Sequence, residues 1–253
     1  MTSDAPGTPA RSDLASSFGA VADQYDRVRP GYPDEAVDWM LPAGSRRVVD
    51  LGAGTGKLTR LLAARGLAVT AVEPDAGMRR VLAASAPDVD VRAGSGEAIP
   101  LGDGEEDAVL VAQAWHWMDA GEAARECARV LRPGGRLGIV WNNLDTEVDW
   151  VREFDALLHP AGSRSSNTAP EPGPFPGFGP VEHASFPHVQ RLSPEDAVAF
   201  AGSISVVSTL PEDARARLLD DIRTLLAGHP DTAGRDVLEL PWRADAYRSQ
   251  LGG

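Results

Sequence analysis

The residues best suited to chemistry lie in Val48-Val-Asp-Leu-Gly-Ala-Gly-Thr-Gly-Lys-Leu58, where the carboxylate of Asp50 is followed by glycines at alternate positions. A hydrophobic run entering alternating glycines lets a ligand approach backbone amides at the start of a helix. Three ligand classes compete for such a loop. A dinucleotide wants G-x-G-x-x-G/A, but Gly52 and Gly54 are followed by Lys57 where the third small residue belongs. A nucleoside triphosphate wants G-x-x-x-x-G-K-[ST], and Leu51 and Leu58 stand where the glycine and the hydroxyl are needed. The pattern left is D-x-G-x-G-x-G. A second acid, Glu73, closes another hydrophobic run, placed so that its carboxylate can accept hydrogen bonds from both hydroxyls of a ribose. A third cluster, Trp115-His-Trp117, joins two aromatic faces to an imidazole whose ordinary pKa of about 6.5 suits proton transfer near neutrality.

These residues need a scaffold that presents them at one edge. Strands are predicted at Arg47–Leu51, Ala68–Glu73, Val89–Ala93, Asp107–Ala112 and Arg136–Trp141, with helices over Asp34–Met40, Lys57–Arg65, Ala76–Ala84 and Ala120–Leu131. Alternating strands and helices imply a mostly parallel sheet covered on both faces, an α/β fold whose ligands sit at the carboxyl ends of the strands. Beyond Trp141 the pattern predicts a helix over Val148–Leu158, then a Pro-, Gly- and Ser-rich loop over 159–180. A strand near Val181–Val189, helices near Pro194–Gly202 and Pro211–Leu226, and an extended piece at Asp236–Leu240 follow. Residues 1–13 read as a flexible tail and 14–253 as one domain, with its core about 44–141 and lid elements from 14–43 and about 190–228.

Composition narrows the partners. The chain has 253 residues, with 24 Lys and Arg against 37 Asp and Glu, and its formal charge of −13 disfavours nucleic acid as a ligand. No apolar run approaches the roughly 18 residues of a membrane span, and the polar start carries no signal-peptide core, so the expected compartment is the cytoplasm. Cys127 falls on the apolar face of a predicted helix and reads as a buried thiol rather than a nucleophile. His159, His183, His188 and His229 show no metal-site spacing, and no metal is expected.

The loop Asp50–Gly56, the acid Glu73, the turn Gly94-Ser-Gly-Glu-Ala-Ile-Pro100, the segment Gln113-Ala-Trp-His-Trp117 and the turn Leu131-Arg-Pro-Gly-Gly-Arg-Leu137 occur in that order. Together they resemble the class I S-adenosylmethionine-dependent methyltransferases. The head segment Phe18–Pro33 and Trp115-His-Trp-Met-Asp119 are similar to the type 11 small-molecule branch, which includes ubiquinone-pathway and trans-aconitate methyltransferases. The resemblance covers about Phe18 to Trp141, and more weakly the rest. It implies a Rossmann-like, mostly parallel seven-stranded sheet with a helical lid, and S-adenosylmethionine as cofactor with S-adenosylhomocysteine as product. The family's adenine turn often carries Asp where this chain has Ser95, which leaves that contact to a hydroxyl, to Glu97 or to backbone.

The resemblance assigns the cofactor to Asp50, Gly52, Ala53, Gly54, Glu73, Pro74, Met78, Ser95, Gly96, Glu97, Gln113 and Ala114. Tyr25 and Arg29, four apart, are expected to face its carboxylate, the guanidinium bidentately. Trp115, Trp117, Trp141 and Asn142 are expected to line the acceptor pocket, where aromatic faces favour a sulfonium, and His116 is the candidate general base. Phe175 and Phe178 are candidates to cover the acceptor. The expected activity is methyl transfer to O, N or C of a small molecule by a monomer or homodimer. An NAD-dependent oxidoreductase and a non-catalytic S-adenosylmethionine-binding protein are the alternatives.

Overall fold

The computed structural model describes residues 27–159 and 172–252. Tyr25 and the tail over 1–13 lie outside those residues, as does most of the loop after His159. Seven strands form one sheet in the order β3-β2-β1-β4-β5-β7-β6. They are β1 (Arg47–Leu51), β2 (Ala68–Val72), β3 (Asp90–Arg92), β4 (Glu106–Ala112), β5 (Leu131–Leu144), β6 (Glu182–Leu192) and β7 (Leu238–Gln250). Strands β1 to β5 pair in parallel, and β7 lies between β5 and β6 antiparallel to both. Strand order reverses at β1 and β4, the switch point where open α/β sheets bind ligands.

The buried strands read as continuous apolar runs because helices cover both faces. Helices α1 (Asp34–Met40) and α2 (Lys57–Ala64) pack on the face of Val48, Leu110 and Val140. Helix α4 (Ala120–Val130) packs on the face of Val49, Val109 and Leu137. Cys127 is fully buried there, its thiol pushed upward by desolvation, in keeping with an inert core residue. Helix α3 (Ala76–Ser85) starts at Asp75, whose carboxylate accepts the Met78 amide, and α4 starts at Asp119, which accepts the Glu122 amide in the same way.

The lid has its own core. Helices α5 (Asp149–Leu158), α6 (Pro194–Ser203), α7 (Ser205–Ser208) and α8 (Glu212–Gly228) gather Phe154, Phe200, Ile222 and Trp242 into one apolar cluster. The rings of Phe154 and Phe200 stack at 6.3 Å. Ser193 caps α6 by accepting the Asp196 amide, with Pro194 at the first helical position.

The expected and observed elements differ most at the end of the chain. The extended piece predicted at Asp236–Leu240 is a 13-residue strand, β7, at the centre of an antiparallel trio. Its inward residues include Ala244 and Ala246, which carry little hydrophobic signal, and Pro241 interrupts the pattern. The strand predicted to end at Val189 continues to Leu192, and it tolerates Pro187 because β6 is an edge strand. The fifth strand starts at Leu131 rather than Arg136, and the turn α7 carries no periodic signal at all.

Candidate active site

The cleft over the switch point has a volume of about 670 Å³, within the size range of small-molecule sites. Its glycine-loop side is assembled from loops at the carboxyl ends of β1, β2 and β3. In the glycine loop, Gly52, Gly54 and Gly56 have φ of 71°, 57° and 89°, the left-handed region that glycine enters without penalty. Gly52 is also needed for space, since a Cβ there would stand 2.6 Å from Cβ of Ala114. At Gly54 the nearest atom to such a Cβ is the Met78 sulfur at 3.9 Å, so the loop leaves room over its own backbone.

Glu73 is buried, and its two carboxylate oxygens accept the amides of Gly54 at 2.9 Å and Asp75 at 2.8 Å. The acid therefore locks the glycine loop to the end of β2 while each oxygen keeps a lone pair for a ribose hydroxyl. Asp50 is almost wholly buried, and one oxygen accepts the Thr59 hydroxyl at 2.5 Å while the other, Oδ1, has no hydrogen-bond partner. Burial raises its pKa from 3.8 to about 7, with the charge of Glu73 adding to the rise and the Thr59 hydrogen bonds opposing it. A buried acceptor oriented in this way calls for a cationic donor from a ligand, such as an ammonium.

The turn Ser95–Glu97 is held by side chains. Glu97 accepts the Asp119 amide at 2.8 Å, and that bond together with one from the Ser95 hydroxyl keeps its carboxyl below the usual range. Gly96 sits under Met118, where a Cβ would meet the sulfur at 2.5 Å. Pro74 and Met78 are exposed on the opposite rim, and both line the cleft.

The rest of the cleft lining comes from more distant parts of the chain. Arg29 lines the cleft, with its guanidinium donating to the carbonyl of Ser203 at 2.7 Å and standing 5.6 Å from the centre of the Phe200 ring. Gln113 has φ of 57°, unusual for a side-chain-bearing residue, and its amide donates to the Asn142 carbonyl at 3.1 Å. Both ends of the Asn142 amide are engaged: Nδ2 donates to the Gly31 carbonyl at 2.8 Å, and Oδ1 accepts from Nε2 of His188 at 3.0 Å. Asn142 thus ties the head segment to β5 and β6 rather than offering its amide to an acceptor.

The aromatic cluster divides. Trp117 and His116 line the cleft, and Trp117 is 74% exposed. Trp115 and Trp141, expected beside the acceptor, are instead buried in the core behind it, against Phe175 at 5.3 Å and Tyr247 at 5.7 Å respectively. The 3₁₀ turn Trp115–Trp117 rotates successive side chains to different sides, and the apolar space behind the sheet claims the first. Phe175 and Phe178 pack together in that same core and do not line the cleft. Trp141 reaches the site through its indole N–H alone, donated to Nδ1 of His116 at 3.4 Å. An indole nitrogen only donates, so Nδ1 of His116 is the acceptor and its ring proton sits on Nε2. Partial burial lowers the His116 pKa, which keeps the ring neutral near pH 7.

Several cleft residues carry no motif signal: Ile204, Ser205, Val206 and, at the end of α5, His159. For His159 a usable signal existed in the Asp155-x-x-x-His159 spacing, which puts an acid and an imidazole one helical turn apart. Among the described residues, Asp149, Glu153 and His229 are close enough to share a metal ion, on the lid and outside the cleft. No helix among the described residues is long and apolar enough to cross a membrane.

Comparison with known proteins agrees with this geometry. A methyltransferase-domain family model, type 11, matches residues 49–139. An uncharacterized methyltransferase of Mycobacterium tuberculosis (strain H37Rv) is 46% identical over 246 residues, covering 96% of this chain and 99% of the relative. An uncharacterized methyltransferase-like protein of Schizosaccharomyces pombe is 35% identical over 94% of this chain and 96% of its own. The solved structure of a candidate type II methyltransferase from Anaeromyxobacter dehalogenans aligns with a TM-score of 0.64 and 25% identity, over 88% of this chain and 97% of that one. The fold and the glycine-loop cleft are those of a Rossmann-like transferase. The chain belongs to the class I S-adenosylmethionine-dependent methyltransferases, in their type 11 branch.

Proposed function

We propose that the protein transfers a methyl group from S-adenosylmethionine to a nucleophilic O, N or C atom of a small-molecule acceptor. The observation that carries this reading is the unpartnered Oδ1 of Asp50, buried beside a glycine loop with open space over Gly54, in a residue that lines the same cleft as Glu73. The residues fit the cofactor piece by piece. Asp50 would take its ammonium, Arg29 its carboxylate, Glu73 the ribose hydroxyls, and Pro74, Met78 and the turn Ser95–Glu97 the adenine. When bound, the cofactor supplies a methyl group on a positively charged sulfur, whose leaving group is a neutral thioether. The chain's part is to orient the acceptor, to exclude water and to manage one proton. The face of Trp117 supports a cationic centre on the open side, while Gln113 and Asn142 fix the floor.

A small acceptor is supported by the cleft's volume of about 670 Å³, with Ile204, Ser205 and Val206 of the helical segment after β6 in its lining. Incubation with methyl-labelled S-adenosylmethionine and a fractionated small-molecule extract tests the reading. Label should enter a low-molecular-weight product with wild-type protein and be absent with Glu73→Ala. Label entering only protein or nucleic acid would overturn the choice of acceptor.

A further inference from the structure

We propose that His159, positioned by Asp155, is the general base that takes the acceptor's proton, while His116 serves the same cleft as a hydrogen-bond donor. This rests on the methyltransferase reading and assigns it a residue that no motif marks.

Both histidines line the cleft, and their partners set them in opposite states. Nδ1 of His159 lies 3.1 Å from Oδ1 of Asp155 and 3.2 Å from the Asp155 carbonyl. Both partners are oxygens without a proton to give, so Nδ1 must carry the hydrogen and Nε2 keeps its lone pair. Asp155 is only 7% exposed and the imidazole side chain 10%, which holds the pair in one geometry. At His116 the order is reversed, because the Trp141 indole occupies Nδ1 and leaves the proton on Nε2. His116 could accept a proton only by giving up that bond.

The pairing also supplies a place for the charge. When a hydroxyl acceptor reacts, its O–H bond breaks and the proton forms an N–H bond at Nε2 of His159. The oxygen pair then bonds the methyl carbon, and the carbon–sulfur pair leaves on sulfur. The imidazolium left behind is stabilised by the carboxylate of Asp155 and returns its proton to water, so charge and atoms balance without a further reactant.

The deciding experiment is a long-range proton–nitrogen spectrum of the ¹⁵N-histidine-labelled full chain, alone and with S-adenosylhomocysteine, with His159→Gln and His116→Gln used for assignment. The expected result is a protonated Nδ1 and bare Nε2 at His159, and the reverse at His116. In Asp155→Asn the His159 signals should move toward a mixture of the two forms, a change that a merely structural carboxylate would not produce. A His159 ring protonated on Nε2, or two rings in the same state, would overturn the proposal.

A kinetic arm compares methyl transfer to 2-naphthol, which must lose a proton, with transfer to 2-naphthalenethiol, which is already ionised near neutrality. His159→Gln should slow the first about 50-fold or more beyond whatever it costs the second. Equal losses would overturn the base assignment, and if neither probe turns over, the nitrogen spectrum decides. Calorimetry with S-adenosylhomocysteine on the same samples separates the failures: absence of binding in wild type would sink the cofactor reading while the histidine states stood or fell by themselves.

Discussion

The two walls of the cleft are built by different means. The wall proposed for the cofactor uses short contiguous segments, Asp50 to Gly56, Glu73 to Met78 and Ser95 to Glu97, and at Gly52 it presents backbone where a side chain would collide. The wall proposed for the acceptor draws side chains from Gln113, His116, Asn142, His159 and Val206, spread over distant parts of the described chain. A backbone surface demands particular residues at fixed spacing, because only glycine takes the required φ or leaves the required space. A side-chain surface accepts many solutions.

The sharpest way to break that contrast is to fill the backbone surface. Gly52→Ala should reduce S-adenosylhomocysteine affinity more than about 100-fold, since its Cβ would collide with Ala114 at a φ of 71°. Gly44→Ala is the matched control, at a φ of 77° with nothing within 4 Å of the new Cβ. It should cost about 1 kcal/mol of stability and leave affinity unchanged in the same calorimetric titration. Equal effects on affinity would remove the special status of the cofactor wall.

Asp50 gives a smaller effect of two opposite signs. Burial raises its pKa to about 7, so the folded chain retains a proton that the unfolded chain releases near 3.8. The contribution of Asp50 to stability should fall as pH rises between those values and level off above, because the native state binds the extra proton. Asp50→Asn should then raise the melting temperature of the ligand-free protein at pH 8, yet weaken S-adenosylhomocysteine about 10- to 100-fold by removing the charge that meets the ammonium. In wild type at pH 6, binding should expel the Asp50 proton, which calorimetry in two buffers of different ionisation enthalpy would detect. A destabilised Asn variant with unaltered affinity would contradict this view of the site.

The smallest expected signal comes from behind the walls. Cys127 is fully buried, with its thiol pushed above its ordinary range, and should resist alkylation at pH 8 in native protein while reacting in denaturant. Rapid native labelling, read by mass spectrometry, would show the core under the cleft to be open.

The same contrast explains what could be read in advance. The strands β1 to β4 and the glycine loop were legible because apolar runs and glycine spacing are dictated by burial and by backbone geometry. The expectation for Trp115 and Trp141 failed on direction: the sequence places them near the right strand ends, but only the turn geometry decides which ring faces the cleft and which fills the core. Strand β7 was foreshortened because its alternation rests on alanines. The place of His159 in the cleft is not legible in the sequence, because it comes from a chain fold that brings the end of α5 to the cleft, and neither motif nor periodicity encodes that meeting.

The proposed function requires a cleft that takes a sulfur-bearing nucleoside amino acid and not a dinucleotide. Parallel calorimetric titration of the purified protein with S-adenosylhomocysteine and NADH tests it most directly. Micromolar binding of S-adenosylhomocysteine, lost in Glu73→Ala, with no heat from NADH is the predicted result. Binding of NADH alone would contradict the account.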